Sequence, residues 1–277
     1  METLLAGRAG FDMLGSQYPA AGNVQFETTS IAGVACTWVR PAGTLAGEVA
    51  VFIHGGAFIY GSLRSHAPMV SHIASALKRN VLMIDYRLAP ENPFPAGLND
   101  CVAAITGLLT EHPDLIFGII GDSAGGNLAV AAQLGLKAAG RPMPRYSMVI
   151  SPWTDLECNN DSYTRNQLAD TVLTREYLQW AAGLYAGNRG RADGLVSPVN
   201  ADLSGLPPAL ILCGTAEILE DDSIQLHRNF LAAGVEAELI TFEGEQHVWP
   251  FMDIDTGASQ KVLADFAIFA AKHSTSR

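Results

Sequence analysis

The sequence predicts an α/β fold with a mostly parallel central sheet and helices on both faces. Short, continuous apolar runs such as 49–53 and 116–120 are typical of strands that are buried on both faces of a sheet. Stretches of helical character, many of them rich in Ala and Leu, alternate with these runs almost throughout the chain. That alternation indicates parallel strands connected by helices.

The elements follow one another in a regular order. Residues 24–29 and 35–40 alternate or favour β-branched and aromatic side chains, and the turn at 31–34 between them predicts an antiparallel pair. Further strands are predicted at 49–53, 81–86, 116–120, 146–151, 210–214 and 237–242. Helices are predicted at 67–78, 99–110, 127–139, 174–185, 222–233 and 258–272.

Two stretches fall outside this alternation. Residues 1–22 have weak helical character, and nearly sixty residues separate the strand that ends at 151 from the one that starts at 210. Such a long connection is unusual, and it follows the carboxyl end of a strand, where ligands bind in open α/β sheets. We therefore expect one domain over 1–277, with a small helical cap formed by about 1–22 and 155–195.

Composition and charge exclude several classes of partner. The chain of 277 residues is 48% apolar and 16% charged, with a net charge of -11 spread along its length. Nucleic acid and anionic membranes would repel a surface of this sign, so neither is expected as a partner. The four cysteines are far apart and have no zinc-ligand spacing, so we expect free thiols and no metal. They are Cys36, Cys101, Cys158 and Cys213.

The first residues carry no basic start followed by a long apolar core, so no signal peptide is predicted. No apolar run approaches the ~20 residues that a membrane-spanning helix needs. These observations predict a cytoplasmic protein.

A serine between glycines lies where the strand at 116–120 meets the following helix. The sequence around Ser123 is Gly-Asp-Ser-Ala-Gly, with Gly121 and Gly125 at its ends. This is the G-x-S-x-G pattern of a nucleophile elbow, a sharp turn that raises the serine hydroxyl above the sheet. Glycines remove the side chains that would collide in such a turn. Ser123 is therefore a candidate nucleophile.

A serine hydroxyl needs a base, and His247 is the best-placed of the seven histidines. It alone falls in a loop just after the last strand, at the edge of the sheet where Ser123 emerges. The histidine in turn needs a carboxylate that orients it. Glu217 lies nearest the end of the preceding strand and is the favoured acid, with Asp221 second. Glu220 and Asp222 are further candidates, although acidic residues here could simply begin the next helix.

Ester chemistry also requires backbone N–H groups that stabilise a developing oxyanion. The loop His54-Gly-Gly-Ala57 brings backbone close to the site, and the N–H of Ala124 follows the candidate nucleophile. The loop could equally be a tight glycine turn with no chemical role.

Taken together, these segments resemble the hormone-sensitive lipase family of α/β-hydrolases, the bacterial carboxylesterases called family IV. The resemblance covers most of the chain from about residue 49 onwards. It is carried by HGGAF at 54–58, DYRLAPENPFPA at 85–96, GDSAGGN at 121–127, SPWTDL at 151–156, and the loops around Glu217 and His247.

The resemblance implies an α/β-hydrolase fold with Ser123 as nucleophile, His247 as base and Glu217 as acid. The family's acid lies two residues before the leucine that Leu219 matches. An Asp is more frequent at that position, so the longer Glu217 side chain must reach the same ring nitrogen. No cofactor is implied.

The resemblance also implies that the N–H groups of Gly56, Ala57 and Ala124 form the oxyanion hole, with Gly55 shaping the loop. The family usually has a third glycine where Ala57 stands, and an alanine is acceptable there if its φ is compatible. We interpret Asp85 and Arg87 in the DYRLAPE stretch as a structural ion pair.

The implied function is hydrolysis of short- to medium-chain esters through an acyl-enzyme. Lactone or amide hydrolysis by the same residues is the nearest alternative, and a receptor like the plant gibberellin receptors is remote because those lack the catalytic histidine. A homodimer that pairs sheet edges is also expected from the family. Candidate pocket residues are Phe58, Tyr60, Trp153, Trp249 and Phe251.

Overall fold

The computed structural model describes residues 2–45 and 47–274, so residue 1 of the predicted cap segment lies outside the described residues. The strands are β1 (Val24–Ile31), β2 (Val34–Pro41), β3 (Glu48–Ile53), β4 (Asn80–Ile84), β5 (Ile116–Asp122), β6 (Ser147–Ile150), β7 (Ala209–Gly214) and β8 (Ala237–Phe242). The helices are α1 (Glu2–Leu14), α2 (Leu63–Leu77), α3 (Ala96–Glu111), α4 (Ser123–Ala138), α5 (Ser162–Arg165), α6 (Arg175–Ala186), α7 (Glu220–Ala232), α8 (Trp249–Met252) and α9 (Gly257–Ser274).

The strands form one sheet in the order β1-β2-β4-β3-β5-β6-β7-β8. The β1–β2 and β2–β4 pairs are antiparallel, and all other neighbouring strands are parallel. The predicted mostly parallel sheet is therefore confirmed. Because β5, β7 and β8 run in the same direction, the loops that follow them emerge at one edge of the sheet.

Each face of the sheet is covered by its own set of helices. On β3, Val51 and Ile53 face a core that includes α3, α4 and α7. The alternate residues Ala50 and Phe52 face a second core built with α2 and α9. All four side chains are fully buried, and burial of a large apolar side chain contributes about 1.5–3 kcal/mol. The two cores make the sheet a firm support for the loops at its edge.

Helix α2 begins four residues before its predicted start at 67. Ser62 and Ser65 form a capping box, in which each side chain accepts a hydrogen bond from the backbone N–H of the other. Pro68 lies inside this helix, where its missing N–H removes one helical hydrogen bond. The serine cap outweighs that interruption and sets the start of the helix.

The predicted ion pair between Asp85 and Arg87 is wrong. The Arg87 guanidinium instead binds the carboxylate of Asp100 on α3, with Nη2 2.8 Å from Oδ1, and the Arg87 backbone N–H donates to Oδ2 at 2.9 Å. Asp85 directly follows β4, and its N–H donates to the carbonyl of Ala35 on β2. The Arg87 side chain therefore pairs with α3 and not with Asp85.

Helix α1 is attached through two side chains to the loops that follow β3 and β4. Arg8 donates to the carbonyls of Ile59 and Ala89 and forms an ion pair of 2.7 Å with Glu91. Asp12 accepts a hydrogen bond of 2.6 Å from the Ser62 hydroxyl. These contacts hold α1 above the loop that follows β3. Across residues 2–45 and 47–274, no helix is both long and apolar enough to cross a membrane.

Candidate active site

Ser123 directly follows β5 and is the first residue of α4. Its φ of 52° is in the left-handed region, which costs a non-glycine residue about 1–2 kcal/mol. A side chain at Gly121 would collide with the carbonyl of Gly125, and one at Gly125 would collide with Ile53. The two glycines therefore permit the sharp turn that presents the Ser123 hydroxyl.

His247 lies in the loop between β8 and α8, and its Nε2 is 2.9 Å from the Ser123 Oγ. The ring is largely buried, with 7% of the residue exposed. The distance is right for a hydrogen bond in which the serine hydroxyl donates to Nε2. His247 is thus placed to accept the proton of Ser123.

Glu217 lies behind His247 and is completely buried. Its Oε2 is 2.6 Å from His247 Nδ1, and its Oε1 accepts hydrogen bonds of 2.8 Å from the Gly214 N–H and the Ser151 hydroxyl. Three donors therefore satisfy the carboxylate at this buried position. Because the carboxylate accepts from Nδ1, the neutral ring carries its proton there and leaves Nε2 free to act as a base.

The other acidic candidates lie elsewhere. Asp221 and Glu220 both form ion pairs of 2.8 Å with Arg165 at the surface. Asp222 is buried and accepts the N–H groups of Thr154 and Asp155, and burial raises its pKa to about 8. Glu217 is therefore the carboxylate that the structure brings to His247, and its extra methylene does not prevent contact with Nδ1.

Ser151 is a member of the site that sequence reasoning missed. It is fully buried directly after β6, where it donates to Glu217 and accepts the backbone N–H of Val248 at 3.1 Å. Ser151 therefore joins the acid to the loop that carries the histidine. Its place in the SPWTDL stretch after a strand was the available signal.

The predicted oxyanion-hole residues lie in the loop after β3 and in the first turn of α4. The Gly55 N–H donates to Asp122 Oδ1 at 3.0 Å, so this residue fixes the loop. Gly56 has a φ of 111° and Ala57 a φ of 53°, so Ala57 adopts the left-handed conformation at the same cost of about 1–2 kcal/mol as Ser123. Ala124 follows Ser123 in the first turn of α4, where backbone N–H groups have no acceptor within the helix.

Two further histidines pack beside this loop. His66 has its Nε2 3.4 Å from Asp122 Oδ2 and its Nδ1 2.8 Å from the Ser65 hydroxyl. His54 stacks on Tyr86 with ring centroids 4.4 Å apart, and its Nδ1 donates to the Gly55 carbonyl. Burial lowers the pKa of His54 to about 3, so this ring is uncharged at neutral pH.

A cavity of about 120 Å³ opens above Ser123 and His247. Its floor is polar and its walls are mostly apolar, which suits a ligand with a polar reacting group and an apolar body. The walls come from α1, α6, α8 and the stretch before α6. The apolar wall residues are Phe11, Leu14, Val172, Leu173, Tyr177, Leu178, Val248, Phe251 and Met252.

Of the five aromatic candidates, Phe251 lies on the cavity wall. Phe58 stacks on Tyr185 of α6 with ring centroids 3.7 Å apart, and both rings belong to the buried core. Aromatic rings near a site are as readily used for core packing, and the sequence does not separate the two uses. The candidates that do not line the cavity are Phe58, Tyr60, Trp153 and Trp249.

A serine on a strand-to-helix elbow, followed along the chain by an acid and then a histidine at one edge of a mostly parallel sheet, defines a serine hydrolase of the α/β-hydrolase class. The model of that fold family matches residues 50–251. Curated relatives include an acetyl-hydrolase from Streptomyces hygroscopicus, 35% identical over 87% of this chain and 81% of the relative. An esterase from Acinetobacter venetianus is 34% identical over 95% of this chain and 87% of its own.

Solved structures agree with these relatives. An esterase of the bacterial hormone-sensitive lipase family superposes with a TM-score of 0.95 at 36% identity, covering 98% of this chain and 92% of that one. A hormone-sensitive lipase from a metagenome library gives a TM-score of 0.94 at 35% identity, over 98% and 92%. The chain belongs to the α/β-hydrolase family, among the bacterial hormone-sensitive lipase esterases.

Proposed function

We propose that the protein is a serine carboxylesterase in which Ser123, His247 and Glu217 act as nucleophile, base and acid. Its family is one of carboxylic ester hydrolases. The observation that carries the assignment of roles is the continuous line of hydrogen bonds from Ser123 Oγ through the His247 ring to Glu217, with distances of 2.9 and 2.6 Å.

In the acylation step, Ser123 Oγ attacks the ester carbonyl carbon while its proton passes to His247 Nε2. The carbonyl π electrons move to oxygen, and the N–H groups of Gly56, Ala57 and Ala124 stabilise the resulting oxyanion. When the intermediate collapses, the C–O bond to the alcohol breaks. The alcohol leaves with the proton from Nε2, and the acyl group stays on Ser123.

In the deacylation step, water takes the place of the alcohol. His247 Nε2 removes a proton from the water as its oxygen attacks the acyl carbon. The second tetrahedral intermediate uses the same N–H groups, and its collapse breaks the bond to Ser123 Oγ. The proton on Nε2 returns to that oxygen, which restores the enzyme and releases the acid. Glu217 keeps the ring oriented and stabilises its positive charge in both steps.

The cavity supports esters with short to medium acyl chains. A space of about 120 Å³ beside the nucleophile has little room for a long extended chain. One relative is named an ethyl acetate hydrolase, from Pseudomonas putida, and one structural neighbour was soaked with p-nitrophenyl butyrate. Both facts concern those proteins, and they favour small esters as the first substrates to test here.

We further propose that residues 1–22 and about 155–195 form the cap of a single domain. Phe11 and Leu14 of α1 and Tyr177 and Leu178 of α6 contribute to the cavity wall, which supports this organisation. The edge strand β8 is a candidate surface for the proposed homodimer. Light scattering after size-exclusion chromatography tests the dimer, and cell fractionation tests the proposed cytoplasmic location.

The test of function is hydrolysis of p-nitrophenyl acetate, butyrate, octanoate and laurate by the parent and by a Ser123→Ala variant. Circular dichroism of both proteins verifies that they are folded. We expect rapid turnover of the two shorter esters by the parent and almost none by the variant. A lactone and an anilide in the same panel measure the alternative activities. Equal inactivity of both folded proteins on every ester would contradict the proposal.

A further inference from the structure

Residues 166–173, which we name the cap-wall segment, join the cavity to the loops that hold Glu217 and His247. Val172 and Leu173 at the end of this segment line the cavity. The segment contains no helix or strand, and side-chain hydrogen bonds add to the few backbone bonds that hold it.

The cap-wall segment is bound first to the loop of the acid. The Asn166 side-chain amide donates to the carbonyl of Glu217 at 2.8 Å. Asp170 Oδ2 accepts the N–H of Ile218, the residue after Glu217, at 2.8 Å. The other oxygen of Asp170 accepts the N–H groups of Val172 and Leu173, both at 2.8 Å. One buried carboxylate thus connects the cavity wall to the backbone beside the acid.

The same segment is bound to the loop of the base. Gln246 directly precedes His247, and its Oε1 accepts the Thr171 N–H at 2.8 Å. Its amide nitrogen donates to the carbonyl of Ala169 at 3.0 Å. These two hydrogen bonds join Gln246 to the residues directly before and after Asp170. The cap-wall segment is therefore bound at once to the neighbours of Glu217 and of His247.

We infer that the cap-wall segment sets the relative position of acid and base, with Asp170 and Gln246 as positioning residues. The inference rests on the proposed function. Neither side chain is among the residues that line the cavity, so each acts through the backbone next to a triad member. Small displacements at a reacting centre are costly, since a shift of about 1 Å can reduce a rate about 10²-fold.

A consequence for specificity follows from this connection. A substrate group that presses on Val172 or Leu173 displaces the same segment that holds the acid and the base. Bulky acyl or alcohol groups should therefore change kcat as well as KM. If the cavity wall were not connected to the acid and the base, bulky groups would change substrate binding, and therefore KM, without changing kcat.

The experiment compares Asp170→Asn and Gln246→Ala with the parent. The substrate is p-nitrophenyl acetate, because its small acyl group makes few contacts with the cavity wall. The controls are the same substitutions at two exposed residues, Asp202→Asn and Gln260→Ala. The Asp202 carboxylate accepts the Ser204 N–H at 2.9 Å, and the Gln260 amide donates to the Ile254 carbonyl at 2.9 Å. Neither control residue lines the cavity. Thermal melts verify that each variant is folded.

We expect kcat to fall about tenfold in both positioning variants with a smaller change in KM, and the controls to stay within about twofold of the parent. Gln246→Glu keeps the acceptor for Thr171 but loses the donor to Ala169, so it should recover part of the rate. In a Glu217→Gln background, Asp170→Asn should cost less than about twofold, because the two residues act on the same step.

Several results would overturn the inference. One is an unchanged kcat in Gln246→Ala, a variant expected to fold because Gln246 is only half-buried. A second is a rise in KM with no change in kcat. A third is an effect of Asp170→Asn on kcat that is as large in the Glu217→Gln background as in the parent. An active parent with any of these results leaves the proposed function intact. A parent without Ser123-dependent turnover would overturn the proposed function itself, and this inference with it.

Discussion

The hydroxyl of Ser151 lies 2.8 Å from Glu217 Oε1 and donates a hydrogen bond to it. Ser151 also accepts the N–H of Val248, the residue after His247. A single buried hydroxyl at the end of β6 therefore contacts the proposed acid and the loop of the proposed base. Ser151, directly after β6, thereby connects the loops that follow β7 and β8.

Replacement of Ser151 by alanine should lower kcat about tenfold. The variant removes one of three donors to Glu217 and leaves the Val248 N–H without an acceptor, which costs about 1–3 kcal/mol of stability. Ester kinetics and urea unfolding measure the two effects. The control is Ser147→Ala at the opposite end of the same strand, where the buried hydroxyl accepts from Gln133 at 3.1 Å. Equal kcat values in the two variants would contradict the positioning role of Ser151.

The choice of acid gives a second prediction. Glu217→Gln should lower kcat by about 10³–10⁴, because an amide no longer favours the charged, correctly protonated ring of His247. Asp221→Asn should leave kcat within about twofold, since Asp221 pairs with the half-exposed Arg165 instead. Steady-state kinetics on p-nitrophenyl butyrate separate them. A larger loss in Asp221→Asn than in Glu217→Gln would reverse the assignment.

The strands and the triad candidates could be predicted from the sequence because parallel strands place their following loops at one edge. Ser123, Glu217 and His247 each follow a different predicted strand. The strand pattern was therefore sufficient to predict that the three residues lie at the same edge of the sheet. The same reasoning left the acid open between Glu217 and Asp221. In the structure, the hydrogen bond between His247 and Glu217 and the ion pair of Asp221 with Arg165 separate the two, and neither contact has a local signal.

Other parts of the site depend on contacts between distant segments. Ser151 and Glu217 are 66 residues apart in sequence, and Thr171 and Gln246 are 75 residues apart. No periodicity or spacing indicates such a pair. The partner of Arg87 was missed for a similar reason, because it depends on how α3 packs beside the end of β4. Four of the five aromatic candidates do not line the cavity, because a buried ring and a cavity ring have the same sequence pattern.

Ala57 provides a third prediction, about the oxyanion loop. Ala57→Gly should keep kcat within about twofold, because the proposed donor is a backbone N–H and the φ of 53° suits glycine. Ala57→Val should be destabilised, since β-branched residues rarely adopt this conformation. Kinetics and thermal melts measure both variants. A tenfold loss of kcat in Ala57→Gly would show that the methyl group has a role that the backbone does not explain.

His54 gives a prediction for stability against pH. Its pKa is about 3 in the folded protein and 6.5 in an ordinary environment. Between these values the unfolded chain binds a proton that the folded protein does not, so stability falls as pH decreases. The unfolding free energy falls by about 1.4 kcal/mol per pH unit below 6.5. Above that pH, His54 does not make the unfolding free energy depend on pH.

Urea unfolding at pH 7.5, 6.0 and 5.0 measures this effect in the parent and in His54→Asn. The variant should be less stable at pH 7.5, because it loses the stacking on Tyr86. Its unfolding free energy should nevertheless fall less steeply below pH 6.5 than that of the parent. Parallel pH curves for the two proteins would mean that His54 is not the uncharged group inferred from its burial.

The most direct test of the account is covalent labelling with diethyl p-nitrophenyl phosphate. Ser123 Oγ should attack phosphorus and release one p-nitrophenolate per protein, as its proton passes to His247. Absorbance gives the stoichiometry and peptide mass spectrometry gives the site, with unfolded protein as the control. We expect one diethyl phosphoryl group on Ser123 and complete loss of esterase activity. Loss of activity with the group on another residue, or ester turnover with no labelling, would contradict Ser123 as the nucleophile.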